Sequence, residues 1–167
     1  APVGRVHMYP PLFHLFLAVL MKMGVSIIFL AKFFEAVSPV LFLLALWSFI
    51  KNNYNERLAF FVIIAFSSSF SFYLSLINHV PATIGLIFGI FALGRLLKGK
   101  LMSCAFFLAL CFYTHIGVSW LFIFTVVVYG IINRGLFKAS LKIALVAIVL
   151  AAPVLIKQVT SLQFIKA

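Results

Sequence analysis

Residues 117–133 read GVSWLFIFTVVVYGIIN, a run without a single charged side chain. Such a run has no alternation of apolar and polar residues, so it is not a half-buried strand. Its backbone groups must be satisfied within the segment if it meets lipid, which leaves the helix. Five more runs share this apolar character: 27–50, 57–76, 82–98, 101–115 and 138–156. A soluble domain of 167 residues could not enclose them, because 66% of the chain is hydrophobic and only 9% is charged. The mean hydropathy of +1.28 agrees. The chain is therefore read as all-α, a polytopic helical membrane protein with about six transmembrane helices in residues 27–167. Residues 1–26 are expected to form the end of an external loop and a short juxtamembrane helix.

The net charge of +11 comes from thirteen Lys and Arg against two acids. In a soluble protein this balance would point to nucleic acid. Here no basic helix or aromatic–basic surface supports that partner, and none is expected. The cations sit in short clusters between the apolar runs. Lys51 and Arg57 share one loop; Arg95, Lys98 and Lys100 share the next but one; Arg134, Lys138 and Lys142 share a third. The intervening loops, around Asn78-His79 and Thr114-His115, carry no Lys or Arg. The positive-inside rule assigns the basic loops to the cytoplasm, and residues 1–26 to the outside. A plasma-membrane location is expected.

Residues 10–23 begin with Pro10 and Pro11, which suit a helix start. As a helix they make about 21 Å, short of a hydrocarbon core of about 30 Å. His14, Ala18 and Lys22 recur every fourth residue and form one thin polar stripe. The expected placement is in the outer interface or re-entrant; the rival is a short, tilted span. Residues 27–50 are longer than the core, so Lys32 and Glu35 are expected to protrude outside, with a kink at Ser38-Pro39.

All four histidines fall on the predicted outer side. His7 and His14 lie in the first stretch with Arg5, and His79 and His115 lie in the two uncharged loops. His and Arg at a membrane face suit a phosphate or pyrophosphate headgroup; the plainer reading is that histidines simply tolerate interfaces. Ser68, Ser71 and Ser75 are predicted to share one helix face, gluing helices together or lining a polar cavity. Gly85 and Gly89 make a GxxxG, which is expected to mark close intramolecular helix packing. Glu35 and Glu56 are the only carboxylates. Lys32 is the expected partner of Glu35, three residues away, and Glu56 is expected to be solvated. Cys104 and Cys111 lie about 10 Å apart on a helix, too far for a disulfide. No metal-ligand spacing, nucleotide loop, catalytic triad or carboxylate pair is present.

The order of these features resembles the N-terminal membrane half of polytopic glycosyltransferases of the GT-C type, such as oligosaccharyltransferase catalytic subunits and protein mannosyltransferase-like enzymes. The likeness is carried by Gly4-Arg5 and Tyr9-Pro10-Pro11-Leu12 before a short helix, and by a long helix ending at Lys51-Asn52-Asn53-Tyr54-Asn55-Glu56-Arg57. A serine-rich helix, an uncharged turn at Asn78-His79-Val80-Pro81 and short helices around CFYTHIGVSWLFIF then follow. The resemblance implies transfer of a sugar from a polyprenyl-phosphate-type lipid carrier at the outer membrane face. It implies Arg5, Tyr9, Pro10 and Pro11 as the return of an external loop to the membrane, and Asn78-His79 as a turn at the active face. Arg5, His7, Tyr9, His14, Asn78, His79 and His115 are then the candidate residues for the lipid phosphate or sugar donor. The family's acidic motif lies upstream of the Tyr-Pro-Pro stretch, and a second acid is expected where Asn78-His79-Val80-Pro81 stands. The catalytic acid is therefore expected from other sequence, and the chain is expected to be a fragment. It would act with the rest of its polypeptide or with partner subunits, amid membrane lipid. No cofactor is evident in this chain, though the resemblance leaves room for a divalent metal in the full-length enzyme. The alternative is a non-enzymatic transport or lipid-binding module.

Overall fold

The structure, a computed structural model, describes residues 10–163, with side chains described to residue 160. Among the described residues the regular structure is helical throughout: α1 Pro11–Lys22, α2 Ile27–Asn53, α3 Glu56–Ser67, α4 Phe70–Asn78, α5 Val80–Leu97, α6 Leu101–Thr114, α7 Ile116–Ile132 and α8 Phe137–Gln163. A 3-10 turn at Arg134–Leu136 leads into α8. Three helices are long and apolar enough to cross a membrane, and the α3–α4 pair is a fourth if its halves count as one broken span. The helices α1, α6 and α7 are apolar but shorter. On α8, Leu145 and Val149 are both more than 60% exposed. An apolar exterior of this kind suits lipid and not water, as in an integral membrane protein.

The helix α6 is the most enclosed. Seven of its fourteen residues are buried, including Cys104, Leu108, Cys111 and Phe112. It packs against α5, α7 and α8, and α1 also touches it. Both cysteines are free and buried, and the Cys111 thiol donates to the Gly85 carbonyl at 3.2 Å. Gly85 and Gly89 face inward on α5. A Cβ on Gly85 would sit 3.2 Å from Thr114 Oγ1, and one on Gly89 would overlap the Phe122 ring. This GxxxG therefore serves close packing of α5 on α6 and α7.

The first helix opens with Pro11 at its first position and ends where Gly24 takes φ +90°, a conformation glycine reaches without a Cβ clash. Twelve residues give about 18 Å. Phe13 and Phe16 hold α1 against α2 through Phe34, with ring centroids 5.4 and 5.8 Å apart.

Three expectations need correction. The run 57–76 is not one helix: α3 and α4 meet at a bend of 79° around Ser68-Ser69. Ser68 Oγ turns back to the Ala65 carbonyl at 2.9 Å, and Ser69 Oγ caps α4 by accepting from the Phe72 amide at 3.4 Å. Serine hydroxyls of this kind offer the backbone an alternative to the helix ladder. The serine stripe dissolves accordingly. Ser68, Ser71 and Ser75 are all exposed, and Ser75 bonds its own helix at Ser71 instead of a neighbour. Finally, Lys32 and Glu35 form no ion pair; the described ion pair joins Lys51 Nζ to Glu56 Oε1 at 2.8 Å. Lys preceding Glu is the weaker order on a helix. The observed pair instead spans the α2–α3 turn, where Asn55 also caps α3 by accepting from the Leu58 amide at 2.7 Å.

Proline 39 lies inside α2 without ending it. It has no N–H for the Glu35 carbonyl. Beside it, Ser38 Oγ is buried without a hydrogen-bond partner.

Candidate functional site

Arg5, His7 and Tyr9 lie outside the described residues. Of the other candidates, His14 is on the exposed side of α1, next to Phe13. Asn78 is the exposed last residue of α4, and His79 is the single residue between α4 and α5. His115 is likewise the single residue between α6 and α7. The packing of α5 on α6 and α7 places these two turns at the same end of the bundle, and the charge of His79 acts on His115 from there.

Each turn is held by its own backbone. The Thr83 hydroxyl, buried, donates to the Leu76 carbonyl at 2.8 Å and ties the start of α5 back to α4. The Thr114 hydroxyl donates to the Cys111 carbonyl at 2.8 Å. His115 caps α7: its Nδ1 accepts from the Val118 amide at 3.3 Å, and its carbonyl accepts from Ser119 Oγ at 2.8 Å. An accepting Nδ1 carries no proton, so the neutral ring holds its proton on Nε2. That N–H is a donor available to an acceptor such as a phosphate oxygen.

Burial, and then the positive charge of His79, hold His115 below the ordinary histidine range, opposed by a backbone hydrogen bond. The sign of the pH effect follows. Between the depressed folded value and the ordinary value of 6.5, the unfolded chain binds more protons than the folded one. This contribution to stability is thus complete above about pH 6.5 and is lost as the pH falls below it. The thermal midpoint of the purified protein should drop on acidification through this window. His115→Asn, which caps without titrating, should flatten the drop, and an unchanged profile would refute this assignment.

The other end of the bundle holds a polar cavity that the sequence pattern did not reveal. A space of about 180 Å³ lies between the last turns of α2 and α5, lined by Ser48, Asn52, Asn53, Phe91, Arg95 and Lys98 among others. Its residues come from two segments far apart in the chain, and only the pairing of α2 with α5 joins them. The cluster of Arg95 and Lys98 was the available signal, and loop charge alone accounted for it.

Among the described residues, no group of three or more His, Cys, Asp or Glu side chains gathers in a way that could hold a metal ion. Known protein families, curated proteins and solved structures yield no match to this chain.

Proposed function

We propose that the chain is part of an integral membrane glycosyltransferase that takes a sugar from a polyprenyl-phosphate-type carrier at the outer membrane face. The observation that carries this reading is that His79 and His115 each form a single-residue turn at one end of the bundle, where the turns lack Lys, Arg and carboxylates. Two imidazoles at a membrane face suit a phosphate or pyrophosphate, and His115 presents Nε2–H as a donor. Asn78 stands beside them. The reading requires a catalytic acid that these turns do not supply, and Arg5, His7, Tyr9 and His14 are its further candidates for the donor.

In this reading the bundle crosses six times, by α2, the α3–α4 pair, α5, α6, α7 and α8, with α6 and α7 shorter than a full span but enclosed by their neighbours; α1, with its polar stripe of His14 and Lys22, lies outside as the juxtamembrane helix. The shared cavity of α2 and α5 at their C-terminal ends supports counting the broken pair as one crossing. The loops of Lys51, Arg57, Arg95, Lys98, Lys100 and Arg134 then face the cytoplasm of a plasma membrane.

Two measurements test this. Single cysteines at positions 79 and 98, with Cys104→Ala and Cys111→Ala, should react oppositely with an impermeant maleimide in intact cells: position 79 at once, position 98 only after permeabilisation. The reverse pattern sinks the orientation. In the full-length protein, His79→Ala and His115→Ala should each lower kcat/KM for a polyprenyl-phosphate sugar donor about tenfold to a hundredfold, the value of a hydrogen bond to a charged group. Sugar transfer undiminished by both substitutions together would dismiss the histidine site.

A further inference from the structure

We propose that the cavity between the C-terminal ends of α2 and α5 binds the phosphate group of an anionic lipid headgroup. This site lies at the opposite end of α5 from His79 and stands whether or not the transferase reading holds.

The cavity is lined by Arg95 and Lys98 from α5 and by Ser48, Asn52 and Asn53 from α2. No carboxylate lines it. The chain's two acids are occupied or remote: Glu56 takes Lys51, and Glu35 lies in the N-terminal half of α2. Arg95 is half-buried, and the contact described for its guanidinium is the Phe107 ring, 6.0 Å away. Two cations therefore share a pocket with no anion to balance them. The helix ends oppose them only in part. Each C-terminus contributes about half a unit of negative charge, so α2 and α5 together cancel about one of the two positive charges. The site keeps an attraction for an anion.

The donors suit phosphate in geometry as well as in sign. Asn52 Nδ2 is held by Ser48 Oγ at 3.1 Å, and Asn53 Nδ2 by the Phe49 carbonyl at 2.7 Å. Each amide nitrogen has a second N–H, on a side chain already fixed in place. Guanidinium, ammonium and fixed amide donors around one small space are the groups that recognise phosphate oxygens. The volume of about 180 Å³ far exceeds that needed by one water, about 15 Å³.

The wall of the cavity favours a lipid over a soluble phosphate. Phe91 lines it one helical turn from Arg95 and remains 40% exposed. Phe91 packs on Phe107 with centroids 5.6 Å apart, and Phe106 beside it is 54% exposed. An apolar face thus runs from the cationic pocket along the outside of the bundle, where an acyl chain would lie beneath a headgroup seated at the interface. Basic pockets between helix ends are suited to such headgroups.

The test is native mass spectrometry of the purified chain in detergent, presented with equal phosphatidylglycerol and phosphatidylcholine, alongside titration with inorganic phosphate followed by phosphorus NMR. Phosphatidylglycerol should be retained preferentially. Arg95→Gln with Lys98→Gln should cut its retention about tenfold or more, while Arg134→Gln with Lys138→Gln, an equal charge loss in the next basic cluster, should leave it within about twofold. Asn52→Asp, at an exposed position that tolerates change, should abolish retention by placing a carboxylate in the pocket. Inorganic phosphate binding that is lost in the same variants, without lipid enrichment, would keep the phosphate site and overturn the lipid as its source. Equal losses in the two double variants, or retention unaffected by Asn52→Asp, would overturn the site itself.

Discussion

Gly89→Ala is expected to lower the thermal midpoint of the detergent-solubilised protein sharply, although it adds only a methyl group. That methyl would overlap the ring of Phe122 across the α5–α7 contact. The ring cannot simply swing away, since Phe122 is itself buried and lies in the same cluster as Ile90, Leu108 and Val126. Overpacking of this kind costs about 1–3 kcal/mol. Helix propensity works the other way, favouring alanine by about 1 kcal/mol, so a net loss would isolate the steric effect. Phe122→Leu made on top of Gly89→Ala should recover much of the loss, because the smaller side chain vacates the space the methyl needs. A midpoint raised above that of the parent protein, by the propensity gain alone, would mean that α5 and α7 are not in contact at this point.

Phe112→Ala should also destabilise the bundle, through the opposite defect. Phe112 is fully buried on α6, and its ring meets Trp120 of α7 edge-to-face at 5.3 Å. In water a buried Phe→Ala change costs about 3–5 kcal/mol, much of it lost transfer free energy. Within a bilayer the competing environment of the side chain is lipid, so little of that transfer part survives. The cavity part remains. Removing about 100 Å³ of side chain at about 24 cal/mol per Å³ gives about 2.4 kcal/mol. Phe112→Leu leaves a smaller void and should cost less than half as much. Equal midpoints for the alanine and leucine variants would show that the neighbours collapse into the space.

Much of the architecture was legible because apolar runs and charge punctuation are local signals. The run 101–115 corresponds to α6, Leu101–Thr114, and 117–133 to α7, Ile116–Ile132. The break between α3 and α4 was hidden. Ser68 and Ser69 suit a helix as well as a turn until their hydroxyls are seen bonding the backbone around them. Charge pairing misled for a similar reason. Helical spacing suggested Lys32 with Glu35, yet Lys51 found Glu56 across a turn whose geometry no periodicity encodes. The site was legible in its parts and not in its assembly. His79 and His115 stood out as lone histidines in uncharged turns, but their sharing one end of the bundle depends on how α5, α6 and α7 pack. The polar cavity was less visible still, because Asn52 and Asn53 read as ordinary loop residues until Arg95 and Lys98 are set opposite them.

The bend at Ser68-Ser69 bears on how the chain is made. Twelve residues of α3 and nine of α4 are each too short to be taken up as a span while the polypeptide is being synthesised. The backbone groups freed at the bend need protein around them in a lipid setting. Ser67, Ser68, Ser69 and Phe70 are all exposed at the bend, whereas α2 packs on both halves and α5, which follows, packs on α4. The Thr83 hydroxyl of α5, donating to the Leu76 carbonyl, ties α5 to the far end of α4. If the α3–α4 pair is one crossing, its insertion is expected to depend on α5, which packs on α4 and follows it in the chain. A nascent chain halted before Val80 should leave the pair exposed to protease, and one extended past Leu97 should protect it.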